Sequence, residues 1–298
     1  MKLVICEKPS VAMSIAKVIG ATGRQNGYYE GCGYIVSWCV GHLIQMASPS
    51  AYDEKYAKWR LEDLPIIPKQ YKYEVVKATR GQFNILKKLM NSKEIGTVIN
   101  ACDAGREGEL IFRLVYEQSG CKKSIKRLWV SSMEDVAIKE GFKQLKDGKE
   151  YEALYQSALA RSKADWLVGM NMSRLYSLIY NQNYSVGRVQ TPTLFMIVKK
   201  DDEITAFKKE KYYIGELYCT GFTLSTDRID SLEIVEDLVN VVGNTITVRN
   251  VEKKEKLTKP DLPFDLTTLQ RECNKYFGYS AKQTLDYAQS LYEKKMIT

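Results

Sequence analysis

Histidine is nearly missing from this sequence: His42 is the only one in 298 residues. Ser-His-Asp hydrolysis and histidine-rich metal centres are therefore poorly supplied. Cysteine occurs seven times, an odd number, and no two cysteines form a C-x-x-C pair. Neither a disulfide framework nor a zinc site is expected, and the thiols read as reduced and partly buried. No apolar run reaches the roughly 18 residues a membrane span requires. The opening MKLVICEKPS turns charged too early for a secretory signal, so a cytoplasmic location is expected. Nucleotide signatures are missing too. There is no G-x-x-x-x-G-K-[ST] loop and no G-x-G-x-x-G after a strand, which argues against ATP hydrolysis and nicotinamide chemistry.

What is present is ordinary globular material. At 45% hydrophobic and 27% charged residues, the chain can bury a sizeable core and make about two domains. A net charge of +8 permits a nucleic-acid partner without requiring one.

The first 145 residues alternate between strand and helix patterns. KLVIC, YIVSWCV, GTVINA and KRLWV read as strands. SVAMSIAKVIG reads as a helix with Ser10 as N-cap and Gly20 as stop. QFNILKKLM and EGELIFRLVYEQSG read as helices, the latter ending at Gly120. A further helix opens with Ser131 and Glu134 at capping-box spacing. Such alternation implies a mostly parallel sheet covered on both faces. The texture then changes. Residues 151–182 read as one long helix, and TPTLFMIVKKDDEITAF gives another with Pro192 in its first turn. YYIGELYCTGFTLST and NTITVRNV read as antiparallel strands, and KKEKLTKPDLP as a basic connector. Asp265 and Ser280 cap two final helices.

Two charged groups fall at strand ends, where function gathers in open α/β sheets. Glu7-Lys8 follows KLVIC; NACDAGREGELIF places Asp103, Glu107 and Glu109 around Arg106 after GTVIN. If these strands are neighbours, Glu7, Asp103 and Glu107 converge, repel and raise one another's pKa values. Oxygen-only ligands on a polar rim suit Mg²⁺, which keeps several waters and bridges to phosphate. Lys8 beside such a site would meet an anion. The bland reading is that Glu107 and Glu109 only complement a helix dipole, and Glu109 is expected to do no more than that.

These residues carry a resemblance. EKPSVA followed by DAGREGEL resembles the Toprim domain of topoisomerases, bacterial primases and some nucleases. ARSKADWLVGMNMSR (Ala160–Arg174) and SVGRVQTPTL (Ser185–Leu194) resemble the DNA-binding helices of type IA DNA topoisomerases. PFDLTTLQRECNKYFGYSAKQTLDYAQSLYEKKMIT resembles the segment leading into that family's nucleophile, and the combination, with CVGHL and KWRLEDLPIIP, is similar to the bacterial topoisomerase III branch. The resemblance implies an α/β Toprim domain with a mostly parallel sheet, then a mainly helical domain with a partial β-rich region. The expected divisions are 1–145 (Toprim), 151–210 (helical, DNA-binding), 211–258 (partial β-rich arch) and 259–298 (start of a helical gate). It also implies ATP-independent strand passage, relaxation or decatenation through a 5′-phosphotyrosine intermediate. Glu7 and Lys8 would be catalytic, and Glu7, Asp103 and Glu107 would hold Mg²⁺. Trp59, Arg161, Asp165, Trp166, Arg174 and the run Ser185, Val186, Gly187, Arg188, Val189, Gln190 and Thr191 would bind single-stranded DNA. A monomer is implied, with no nucleotide cofactor and no membrane partner.

Local sequence alone leaves other readings open. Gly187-Arg188 before the helix start at Thr191-Pro192 suits a phosphate, but also a simple turn with a solvated arginine. Arg161, Asp165 and Arg174 equally suit a solvated stripe. Trp166 and Trp59 suit either core or base stacking, and His42 reads as structural. Two departures from the family pattern stand out. Gly105 replaces the second aspartate of D-x-D-x-E, and none of the 20 tyrosines lies in the family's nucleophile motif, so the chain reads as an N-terminal part. Two alternatives are a Toprim nuclease or primase, and a non-catalytic single-strand-binding fragment; the first needs neither SVGRVQTP nor DWLVGMN.

Overall fold

The computed structural model describes residues 1–243, 247–294 and 296–297. Its strands are β1 (Lys2–Cys6), β2 (Gly23–Gln25), β3 (Tyr28–Gly31), β4 (Tyr34–Trp38), β5 (Ile44–Met46), β6 (Tyr73–Val75), β7 (Thr97–Ala101), β8 (Ser124–Arg127), β9 (Lys146–Asp147), β10 (Glu216–Cys219) and β11 (Phe222–Ser225). Its α-helices are α1 (Pro9–Ile19), α2 (Arg80–Asn91), α3 (Arg106–Ser119), α4 (Asp135–Lys143), α5 (Glu152–Tyr180), α6 (Gln190–Thr205), α7 (Leu232–Val241), α8 (Leu266–Phe277) and α9 (Ala281–Glu293).

One mixed sheet organises the first part, in the order β2-β3-β4-β1-β7-β8-β9. Its four central strands, β4, β1, β7 and β8, run parallel, and the antiparallel pairings lie toward its two edges. Leu3, Val4, Ile5 and Cys6 of β1 are all fully buried, which explains why KLVIC reads as an unbroken apolar run rather than an alternating one. On one face, Val4, Ile99 and Leu128 pack with Ala12 and Ile15 of α1 and Ile138 of α4. On the other, Leu3, Ile5 and Val98 pack with Phe83 and Leu86 of α2, Phe112 and Val115 of α3, and Tyr155 and Ala158 of α5. Both faces are therefore covered, as the alternation implied. Gly20 and Gly120 end α1 and α3 in the left-handed conformation, at φ of 78° and 72°.

Local expectations fail where a stronger partner is at hand. Ser10 is not the cap of α1. Pro9, with no N–H to satisfy, takes the first turn and Lys8 takes the cap position. The Ser131–Glu134 box does not form either. Glu134 itself is the N-cap of α4, and its N–H donates to the Ser132 hydroxyl at 3.3 Å. β8 ends at Arg127, so Trp129 and Val130 lie outside the strand. Asp265 and Ser280 do cap α8 and α9, accepting from the N–H groups of Thr268 and Gln283 at 2.7 and 3.2 Å.

The chain falls into two compact units, residues 1–191 with 265–298, and residues 192–264. In the second, β10 and β11 form an antiparallel hairpin as expected. No described residue of this unit is buried. The expected strand NTITVRNV does not appear at 247–251, and its residues 244–246 lie outside the described set. Among the described residues, no helix is long and apolar enough to cross a membrane.

Candidate active site and nucleic-acid interface

Parallel pairing of β1 with β7 sets Cys6 opposite Ala101, so Glu7 and Asp103 leave the same sheet edge from adjacent strands. Glu7 is half-buried, and its Oε2 is buried with no hydrogen-bond partner. Burial pushes the Glu7 carboxyl above its ordinary value, and the Asp103 charge pushes it further. Lys8 and the Asp103 backbone amide pull it part of the way back, while Glu107 adds a smaller upward push. The three acids therefore interact electrostatically. Glu107, however, also faces His42, with Nε2 to Oε2 at 3.7 Å and both side chains exposed. His42 thus stands beside the acid site rather than serving the sheet alone.

Among the described residues, no three His, Cys, Asp or Glu side chains are gathered closely enough to hold a metal ion. The donor set fits a hard cation held largely through water, between the unpartnered Glu7 oxygen and Asp103, more closely than a closed three-carboxylate cage. Gly105 is no steric necessity. Its φ of −174° is ordinary extended backbone, and a Cβ there would meet open space. Gly108 is the opposite. A Cβ there would come within 2.2 Å of the Asp103 carbonyl oxygen, so glycine lets α3 start close beneath the acidic loop.

What holds that loop escaped the sequence reading. Glu109 is not an exposed partner of the helix dipole. It is 1% exposed and ion-paired to Arg127, also 1% exposed, at 3.1 Å, and to Arg113 at 2.9 Å. Asn100 Nδ2 also donates to it at 2.9 Å. The remaining Arg127 donors go to backbone carbonyls. Nη2 reaches Asp103 at 2.7 Å, and Nη1 reaches Cys102 at 2.7 Å, Leu128 at 2.9 Å and Asn100 at 3.2 Å. A rigid five-donor fork at the end of β8 therefore fastens the end of β7 and the first residues of the acidic loop. The only sequence signal was an arginine at the end of an apolar strand.

Lys8 and Asp103 line a cleft of about 670 Å³, together with Ser10, Ser131, Tyr292 and Glu293. The last two belong to α9, and the Ser10 hydroxyl reaches Glu293 Oε1 at 3.5 Å. Burial and the Asp103 charge hold the Tyr292 hydroxyl above its ordinary value. Tyr292 and Glu293 were not singled out in sequence, and Ser10 only as a helix cap, because nothing local ties α9 to the sheet edge.

The expected DNA-binding residues separate into two groups. Arg188 Nε donates to Asp165 Oδ1 at 2.8 Å, joining the loop before α6 to α5. That loop lies along the helix. The Val186 N–H donates to Ser173 Oγ at 2.9 Å, and the Tyr184 N–H donates to Ser177 Oγ at 2.9 Å. Gly169 lies under this strap, where a Cβ would sit 3.3 Å from the Val186 carbonyl. The turn closes on itself. The Gly187 N–H donates to Thr191 Oγ1 at 3.1 Å, and Gln190 Nε2 donates to Ser185 Oγ at 2.7 Å. Val189 is exposed.

Arg174 departs from the exposed stripe. It is 7% exposed, and its guanidinium lies 5.3 Å from the exposed Trp59 ring. Trp166 is half-buried, 5.7 Å from Tyr52 and 6.0 Å from Tyr71 between ring centroids. Arg161 is half-buried on the same helix. Asn171, unnoticed in sequence, exchanges two hydrogen bonds with the Ile66 backbone, at 2.7 and 3.0 Å, and anchors the segment beyond Trp59 to α5.

Comparison with known proteins bears on this arrangement. Residues 2–133 match the Toprim domain, and residues 149–298 match a family described as DNA topoisomerase. The chain is 45% identical over 303 residues to a DNA topoisomerase 3 of Bacillus anthracis, and 44% identical over 305 residues to that of Bacillus subtilis. In both cases 99% of this chain is covered, and the chain spans about 42% of the length of those curated relatives. Among solved structures it is similar to full-length topoisomerase I from Thermotoga maritima, with a TM-score of 0.65 and 25% identity over 98% of this chain and 46% of that one.

Proposed function

The chain belongs to the type IA DNA topoisomerases, and on that premise we propose that it carries the acid site and the single-strand track of an enzyme that cuts, passes and reseals DNA without ATP. The observation carrying this reading is the electrostatic coupling of Glu7, with its unpartnered carboxylate oxygen, to Asp103, which lines a cleft together with Lys8. In the reaction a tyrosine hydroxyl attacks a backbone phosphorus. A phosphotyrosine bond forms, the bond to the 3′-oxygen breaks, and that oxygen takes a proton. Glu7 is suited to supply it, because burial and Asp103 favour its protonated form. Lys8 steadies charge on the scissile phosphate. Glu7 and Asp103, with Glu107 through water, would hold Mg²⁺, which would neutralise phosphate charge. Arg188 exchanges Asp165 for a backbone phosphate, and Trp59, Trp166 and the loop Ser185–Thr191 guide the strand. Residues 1–145 act as the Toprim domain, 151–210 as the DNA-binding helices, 211–258 as part of an arch and 259–298 as the start of a gate. The working form is a cytoplasmic monomer without a nucleotide cofactor.

The test uses a labelled oligonucleotide and the 298-residue chain. We expect single-strand binding with steep salt dependence, and Arg188→Ala should weaken it regardless of base sequence. No covalent adduct and no plasmid relaxation are expected, with or without Mg²⁺. In a protein spanning the relatives' full length, cleavage should appear and Glu7→Gln or Lys8→Ala should suppress it. Equal affinity for duplex and single strand would overturn the binding role. An adduct on the 298-residue chain would make one of its own tyrosines the nucleophile.

A further inference from the structure

Between Arg174 and Arg188 the sequence carries no charged residue, yet it exposes three tyrosines. Tyr176, Tyr180 and Tyr184 are 43%, 60% and 44% exposed. Tyr176 and Tyr180 lie one turn apart on α5, with ring centroids 6.3 Å apart and planes within 9° of parallel. Tyr184 extends the row from the loop, 5.7 Å from Tyr180 with its ring turned 65° to it.

We propose that these three rings form a stacking ladder for unpaired bases, continuing the track that Arg188 begins. The inference rests on the reading of this loop as a single-strand interface, and adds to it a base-contacting element on a different set of residues.

Three observations point to that occupant. First, the ladder is built rather than incidental. Ser177 fixes the third ring's backbone twice, accepting from the Tyr184 N–H at 2.9 Å and donating to its carbonyl at 3.2 Å. The Tyr184 hydroxyl is in turn held by Gln182 Oε1 at 3.2 Å. Second, the ladder is continuous with the phosphate loop. Ser173 fastens Val186 to the same helix one turn away, and the strap ends at the Asp165–Arg188 pair. A strand whose phosphate meets Arg188 is thereby led onto Tyr184, with no carboxylate between Arg174 and Arg188 to repel it. Third, the spacing suits an unpaired strand. Ring separations of 6.3 and 5.7 Å exceed the roughly 3.4 Å repeat of a stacked strand. Bases taken up on these rings one at a time are splayed apart, as an unpaired strand allows. Aromatic faces accept any base, so the ladder adds affinity with little sequence preference.

The experiment measures binding of the 298-residue chain to oligothymidylate and to an abasic oligonucleotide of equal length. Tyr180→Ala and Tyr184→Ala should each weaken oligothymidylate binding by roughly 5- to 100-fold, with an unchanged slope of affinity against salt. The Phe variants should retain the parent's affinity, since stacking needs the ring and not the hydroxyl. On the abasic strand the Ala variants should match the parent. Unchanged binding of oligothymidylate by both Ala variants overturns this inference alone, as does an equal loss on the abasic strand. A parent chain that binds neither oligonucleotide overturns the underlying single-strand reading as well.

Discussion

At the acid site, charge at the sheet edge is supported by buried charge. Glu7, Asp103 and Glu107 stand at a sheet edge, and behind them Arg127 and Glu109, both almost fully buried, hold the loop through an ion pair and carbonyl bonds. At the loop before α6 the support is neutral. Serines one turn apart on α5 hold backbone amides, and the Asp165–Arg188 charge pair is open to solvent. A site where like charges converge needs a frame that does not yield, and low-dielectric burial supplies it. The proposed exchange of Asp165 for a phosphate needs a pair that is cheap to break, as exposed pairs are.

Removing the frame should produce the largest effect. Arg127→Leu leaves Glu109 with Arg113 and Asn100 only and frees four carbonyl bonds, so about 3–5 kcal/mol of stability should be lost in chemical denaturation. A loss below about 1 kcal/mol would show that the pair does not frame the loop. The two glycines of the acidic loop then divide the comparison more finely. Gly108→Ala must displace Asp103 and should cost about 1–3 kcal/mol. Gly105→Asp meets open space, should leave stability nearly unchanged, and should tighten Mg²⁺ binding measured calorimetrically. The reverse pattern would show that the loop is held elsewhere.

Protonation sharpens the contrast further. Glu7 is held above its ordinary value, so the native chain keeps a proton that the unfolded chain releases. Stability is therefore lost as pH rises from the ordinary carboxylate range through the raised Glu7 value. In magnesium-free buffer, Glu7→Gln should be more stable than the parent near about pH 7 and gain nothing near about pH 4. A variant less stable than the parent at the higher pH would count against mutual repulsion. The smallest effect belongs to the strap. Ser173→Ala should cost about 1 kcal/mol or less, because the released Val186 amide can turn to water, while single-strand affinity falls a few-fold.

Much of the sheet region was legible. KLVIC and GTVINA became adjacent buried strands, Gly20 and Gly120 became helix stops, and Asp265 and Ser280 became caps. Caps and stops are written within four residues of one another, and apolar runs carry their own period. The short strands β2, β3, β5, β6 and β9 were not legible, since two to four residues are too few to show alternation. α7 was overlooked in a unit where no described residue is buried.

By itself the sequence determined the alternation of the main buried strands and helices, the acids placed at two strand ends, and the motifs that mark the family. Each is a pattern of neighbours along the chain. Only the tertiary structure decided that Arg127 holds the acidic loop from β8, that His42 faces Glu107, that α9 lines the cleft and that Arg174 leaves its stripe to stack on Trp59. A buried arginine goes wherever enough acceptors converge to replace its water. Those acceptors come from segments far apart in sequence, which only the folded chain brings within hydrogen-bonding distance.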